Sequence, residues 1–288
     1  MLSDHKIRHN IEDIKDTEEI KDTEEIKDTE EIKDTEEIKD TEDIKDGVQN
    51  VMRTKNRLLN AMPQALFYKL SPFLREVTLQ SGDRLHEPGY EIRHLYFPLN
   101  CALSITIVMW DGTTAETGMV GNREVLGINS LMGGQETTQT TYNVQIPGKA
   151  LRIDSEILRN EFDQNKDLRD VILRYTQAFI AQISQTSACN SLHQIDQRLA
   201  RWLLEVHDRV EGDDLALTQE FISNMLGIRR AGVTQRAQIL QEKGLIRYNR
   251  GHIHIQDRTR LEAYSCECFR TLREEYDRLL PVNSGMVP

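Results

Sequence analysis

Leu217-Thr-Gln-Glu-Phe-Ile-Ser-Asn-Met-Leu-Gly-Ile-Arg-Arg-Ala-Gly-Val-Thr-Gln-Arg-Ala-Gln-Ile-Leu-Gln-Glu-Lys-Gly-Leu-Ile246 is the stretch that decides how this chain is read. Thr218 is suited to cap a short helix ending near Leu226, because its hydroxyl can accept from a free backbone N–H of the first turn. Gly227 supplies a tight turn. Val233, Ala237 and Leu240 then recur at helical spacing, which predicts a second helix over 229–243, ended by Gly244. Leu245-Ile-Arg-Tyr248, the turn residues Asn249, Arg250 and Gly251, and Ile253-His-Ile255 predict a β-hairpin. Two helices around a glycine turn are common on their own. Followed by a wing, they form a unit that lays its second helix in the DNA major groove.

Charge supports that reading once it is resolved along the chain. The formal net charge of −11 opposes phosphate binding. Residues 11–46 alone, however, hold 18 acidic and 6 basic residues, which leaves 47–288 neutral. Within that remainder, residues 218–260 carry eight Arg and Lys against Glu220, Glu242 and Asp257. The acidic segment is a hexad repeat with isoleucine at 14, 20, 26, 32, 38 and 44. A six-residue step turns each isoleucine by roughly 240° around a helix, so no apolar stripe forms. As a strand, the isoleucines share a face with Asp and Glu. The expectation is a disordered or solvated acidic tail over 1–50.

Between Leu79 and Ile153, short apolar runs (Leu103, Ile105, Ile107; Tyr142, Val144, Ile146) alternate with turn signals. These are Ser81-Gly82-Asp83, Glu87-Pro88-Gly89, Asp111-Gly112, Gly133-Gly134 and Pro147-Gly148. The pattern predicts antiparallel β-structure over 51–165. Leu168, Ile172, Tyr175, Phe179, Gln182, Thr186, Cys189 and His193 then form an a/d-like seam on a helix over 166–193. Ala178, Ile180 and Ile183 widen its apolar surface, so a dimer contact is expected there. A further helix near 194–210, with Leu199, Trp202, Leu203 and Val206, opens a last domain over 194–288.

From about Leu66 to Leu280 the chain resembles a Crp/Fnr-type regulator. The quoted stretch carries the resemblance, together with Gln185-Thr-Ser-Ala-Cys-Asn190 and Arg198-Leu-Ala-Arg-Trp-Leu203. It implies an α+β fold: an effector-sensing β-roll related to cyclic-nucleotide-binding domains, a dimerisation helix and a winged helix-turn-helix. It implies a homodimer that reads palindromic double-stranded DNA, engages RNA polymerase if it is an activator, and resides in the cytoplasm. The Arg, Glu and Arg with which the family reads bases align on Arg230, Ala231 and Gln235; phosphate contacts align on Thr218, Gln219 and Arg229. Ala231 departs from the pattern, having no hydrogen-bonding side chain, so a different half-site is expected. Arg230 can fork onto guanine and Gln235 can pair with adenine.

The family's cyclic-nucleotide pocket uses a glutamate for the ribose and an arginine for the phosphate. The corresponding stretches read Gly127-Ile128-Asn129 and Thr138-Gln-Thr140-Thr141, without either charge, and Arg123 and Glu124 come too early. An effector other than cyclic AMP is expected, its chemistry unspecified. The four cysteines (Cys101, Cys189, Cys266, Cys268) do not suggest a disulfide scaffold. None lies in the N-terminal cluster an iron–sulfur sensor of this family would use, so no cofactor is expected. Cys266 and Cys268, at i and i+2 of one helix, would point apart. A metal site with His252 and His254 is therefore disfavoured, and Cys189 is left as a conceivable redox reporter.

No stretch approaches the ~18 apolar residues of a membrane span, and the polar N-terminus does not resemble a signal peptide. Nucleophile-elbow, phosphate-loop and zinc-protease motifs are absent, so no enzyme is expected. The competing reading is a signal-binding module that acts through protein partners with weak or no DNA binding.

Overall fold

The computed structural model describes residues 54–133 and 138–281, so the acidic hexads lie outside the described residues. Short helices α1 (Arg57–Asn60) and α2 (Gln64–Leu70) lead into β1 (Arg75–Leu79), β2 (Arg84–His86), β3 (His94–Pro98), β4 (Ala102–Val108) and β5 (Thr114–Val120). Then come β6 (Thr141–Ile146), β7 (Gly148–Asp154), α3 (Ser155–Gln164) and the 27-residue α4 (Lys166–Leu192). The C-terminal third holds α5 (Ile195–His207), β8 (Asp214–Ala216), α6 (Gln219–Leu226) and α7 (Arg230–Glu242). It continues through β9 (Ile246–Asn249), β10 (His252–Ile255), α8 (Arg258–Tyr264) and α9 (Cys268–Leu279).

The β-body is two antiparallel sheets, ordered β1-β7-β3 and β2-β6-β4-β5. Asp111-Gly112 makes the β4–β5 hairpin as its turn chemistry requires, with Gly112 at φ 82°. The strand alternation read at Leu103, Ile105 and Ile107 does not persist. A bulge between Ile105 and Thr106 shifts the register. Ser104 and Thr106 become buried and Ile107 exposed. The reason is that β4 is covered on both faces. Leu103 packs into the roll interior, whereas Ala102 joins the core of the C-terminal domain.

That second core places the C-terminal domain directly on the roll. Met119 of β5 and Ile146 of β6 share it with Leu199, Trp202, Leu203, Ile222, Val233 and Leu240. Trp202 is 2% exposed, sits 5.5 Å from the Phe221 ring, and donates from Nε1 to Glu116 Oε1 at 3.4 Å. Ser104 Oγ donates to the other oxygen of Glu116 at 2.6 Å. Burial lifts the Glu116 carboxyl to about 7, against the opposing pull of these two donors.

The seam on α4 faces the chain itself. Leu168, Ile172, Tyr175, Gln182 and Cys189 are all buried, against the roll, α3 and α9. Ala178, counted among the residues widening the apolar surface, is also buried. The cause is α9, which packs along α4: Tyr276 Oη donates to Gln182 Oε1 at 2.7 Å, and Gln185 Nε2 donates to Cys268 Sγ at 3.0 Å. The apolar residues that α4 leaves outward include Leu173, Ile180 and Ile183, spaced like one helical face and each at least 39% exposed, besides Leu192 at its end.

Candidate nucleic-acid interface

Local chemistry builds the helix-turn-helix. Thr218 is the N-cap of α6, its Oγ1 accepting from Phe221 N at 3.2 Å. Gly227 closes α6 at φ 66°, a left-handed conformation that a side chain would strain. Arg198 secures the same end from behind, donating from Nη2 to Leu226 O at 2.7 Å. Val233, Ala237 and Leu240 of α7 point into the core with Trp202 and Leu226.

The opposite face of α7 is left outward. Arg229 is its N-cap, and its side chain makes no capping hydrogen bond. The first backbone N–H groups therefore keep the capacity and dipole that suit an anion. Arg230, Ala231 and Gln235 are exposed on the first two turns, and Arg229 and Thr218 are exposed beside them. Gln219 is half-buried; its Nε2 donates to Thr234 Oγ1 at 3.1 Å, tying the start of α6 to α7. Arg230 Nη2 lies 2.8 Å from Glu220 Oε2, with both side chains more than 60% exposed. Glu220, whose charge was counted only in the regional balance, thus engages Arg230 on the outward face of α7.

The wing is larger than its sequence signal. β9 and β10 pair through the Asn249–Gly251 turn, with Arg250 at φ 45° and Gly251 at φ 85°. β8 adds a third strand through Leu215 opposite Ile253. Three residues are too few to show an alternating pattern. His254 Nδ1 lies 2.8 Å from Asp214 Oδ1 on this sheet.

The charges missing from the nucleotide-binding stretches have counterparts that are occupied elsewhere. Glu124 pairs with Arg209, at 2.8 Å to Nη2, and also accepts from Gly121 N. Arg123 Nη2 lies 3.1 Å from Asp208 Oδ2, and Asp208 also accepts from Arg258 Nη2 at 2.6 Å. At the later stretch, Thr138 and Thr140 hydroxyls bond each other at 3.0 Å, and Tyr142 Oη donates to Asn129.

Cys266 and Cys268 do not share a helix. Cys266 lies between α8 and α9, and Cys268 is the first residue of α9, so helical geometry does not force their thiols apart. The ligand atoms of Cys189, His193, Cys266 and Cys268 all lie within 4.8 Å of one another. The hydrogen bond with Cys266 holds the Cys189 thiol well below the usual range, helped by Arg201, and the Cys266 thiol is pushed up. His252 and His254 stand apart from this group, on the wing.

A winged helix-turn-helix seated on a two-sheet β-roll is the class of fold this chain adopts. The comparisons narrow the class. Residues 197–264 match the family described as the Crp-like helix-turn-helix domain. FixK2 from Bradyrhizobium japonicum has a similar fold, with TM-score 0.58, 14% identity, and coverage of 67% of this chain and 98% of that one. A CRP-family transcriptional regulator from Thermus thermophilus aligns with TM-score 0.56 and 16% identity over 66% and 96% of the two chains. The c-di-GMP-responsive global regulator CLP of Xanthomonas campestris aligns with TM-score 0.54 and 15% identity over 68% and 100%. A search of curated proteins finds no match. Residues 197–264 thus carry a Crp-like helix-turn-helix domain, and the chain shares its fold with these regulators. Among the described residues no helix is long and apolar enough to cross a membrane.

Proposed function

We propose that the protein is a cytoplasmic homodimer that reads a palindromic DNA site with α7, under control of an effector other than cyclic AMP. The observation that carries this reading is the outward face of α7, where Arg229, Arg230, Ala231 and Gln235 cluster at an uncapped helix start. Arg230 and Gln235 hydrogen-bond base edges and Ala231 meets a thymine methyl. Thr218, Gln219 and Arg229 position the module on phosphates. Gln219 reaches a phosphate only if it gives up Thr234, so it is the contact most dependent on rearrangement.

The division of labour follows a roll over 51–165, a dimer helix over 166–193 and a reader over 194–288. Leu173, Ile180 and Ile183 supply the dimer face, since the a/d seam is spent within the chain. Commitment of Arg123 and Glu124 to Asp208 and Arg209 supports an effector recognised without them. If the protein activates, RNA polymerase is a further partner. Electrophoretic mobility shift at physiological salt tests the reading. Sequence-specific retention lost in Arg230→Ala supports it, and no specific retention by the wild type favours a module acting through protein partners.

A further inference from the structure

Four potential ligands reach one point from two parts of the sequence. Cys189 comes from the last turn of α4, His193 caps that helix, and Cys266 and Cys268 come from the α8–α9 junction. The three cysteines form a buried cluster of their own, each at most 4% exposed, whereas the His193 side chain is 21% exposed. Cys189 Sγ and Cys266 Sγ are 3.5 Å apart, as are Cys268 Sγ and His193 Nδ1. A tetrahedral zinc site with Zn–S of about 2.3 Å has sulfur–sulfur edges of about 3.8 Å. The group is thus already close to the spacing of a single-ion site.

The surroundings fit as well. His193 Nε2 lies 3.2 Å from Glu267 Oε1, which fixes that nitrogen as the donor and turns Nδ1 toward the sulfurs. Gln185 Nε2 donates to Cys268 Sγ, a bond that favours a thiolate. Three thiolates around a divalent ion leave one negative charge. The buried guanidinium groups of Arg201 and Arg198 act on Cys189 from α5, and the Nε of each lacks a hydrogen-bond partner. Thiolates with one imidazole select a soft or borderline metal over magnesium or calcium. With three cysteines the set falls short of the four thiolates an iron–sulfur cluster generally takes.

We propose that Cys189, His193, Cys266 and Cys268 bind one zinc ion, which pins the end of α4 to the α8–α9 junction. The site sits where α4 hands over to the DNA-reading domain, so the metal fixes the angle between them. That consequence rests on the proposed DNA-binding function; the metal site itself does not.

The test is metal content of the full chain, expressed with zinc and purified reduced and without oxygen. About one zinc per chain is expected, retained in Cys101→Ser and reduced at least tenfold in Cys268→Ser and in His193→Ala. Because a serine variant can misfold, cobalt(II) replacement in the wild type provides a second readout. Tetrahedral ligand-field bands with sulfur-to-cobalt charge transfer are expected, and His193→Cys should keep the bands while strengthening the charge transfer. Wild-type protein with free thiols that takes up no stoichiometric zinc overturns the proposal. So does zinc that survives in Cys266→Ser/Cys268→Ser.

Discussion

Arg209 and Glu124 form a two-point ion pair between the DNA-reading domain and the β-roll, buried so deeply that their side chains are 3% and 0% exposed. Nη2 meets Oε1 at 2.8 Å and Nε meets Oε2 at 3.3 Å. Arg209 also donates to Gln182 of α4 at 3.1 Å, and Gln182 accepts from Tyr276 of α9. Roll, long helix, reader and final helix thus meet at one guanidinium. Gly121 belongs to the same joint, because a Cβ there would come within 2.3 Å of Arg209 Cβ.

Breaking this pair strands a buried charge, which costs about 3–5 kcal/mol. Glu124→Leu is expected to lower unfolding stability by that amount in urea denaturation. Arg209→Met/Glu124→Leu should recover much of the loss, since both charges are then gone. An additive double-mutant cycle would show the two residues to be uncoupled.

Glu116 makes the same interface sensitive to pH. Its folded-state value of about 7 lies above its ordinary 4.5 because burial disfavours the carboxylate. The folded state therefore holds the proton more tightly than the unfolded state. The associated stability is fully present below about pH 4.5 and is lost as pH rises through about 7. Denaturation midpoints measured across that window should fall more steeply for the wild type than for Glu116→Gln. Parallel slopes would remove Glu116 from the account.

Dimerisation is expected through the stripe on α4 that its own chain does not cover. Ile180→Glu/Ile183→Glu places charge on that stripe without touching the intrachain seam. Sedimentation should give a monomer with unchanged far-ultraviolet circular dichroism. A dimer that persists would move the interface elsewhere.

Glu220 holds Arg230 through an exposed pair, and such pairs contribute about 0–1 kcal/mol. Glu220→Gln should release Arg230 and raise DNA affinity by up to about fivefold. Weaker binding would mean that Glu220 positions Arg230 for the base instead.

Much of the reader was legible because its signals are local. Thr218, Gly227 and the Asn249–Gly251 turn each announce a backbone conformation within a few residues, and the structure uses all three. The two-sheet roll was legible from its turns. What failed was whatever depends on a distant covering element. Helical periodicity identified the apolar seam of α4 but could not show that α9 occupies it. Strand alternation failed in β4 because the reader packs on its outer face. The Cys189–Cys268 convergence was invisible for a similar reason: no glycine or proline marks the break at Ser265 and Cys266, and 77 residues separate Cys189 from Cys266.

The central claim is that α7 reads sequence through Arg230, and selection from random oligonucleotides with the purified chain tests it most directly. The account predicts a palindromic consensus with half-sites about one helical turn apart. It also predicts that Arg230→Ala relaxes the preference at one base pair per half-site, with a loss of about 1–3 kcal/mol. Failure to enrich any sequence, or an unchanged consensus in Arg230→Ala, would contradict it.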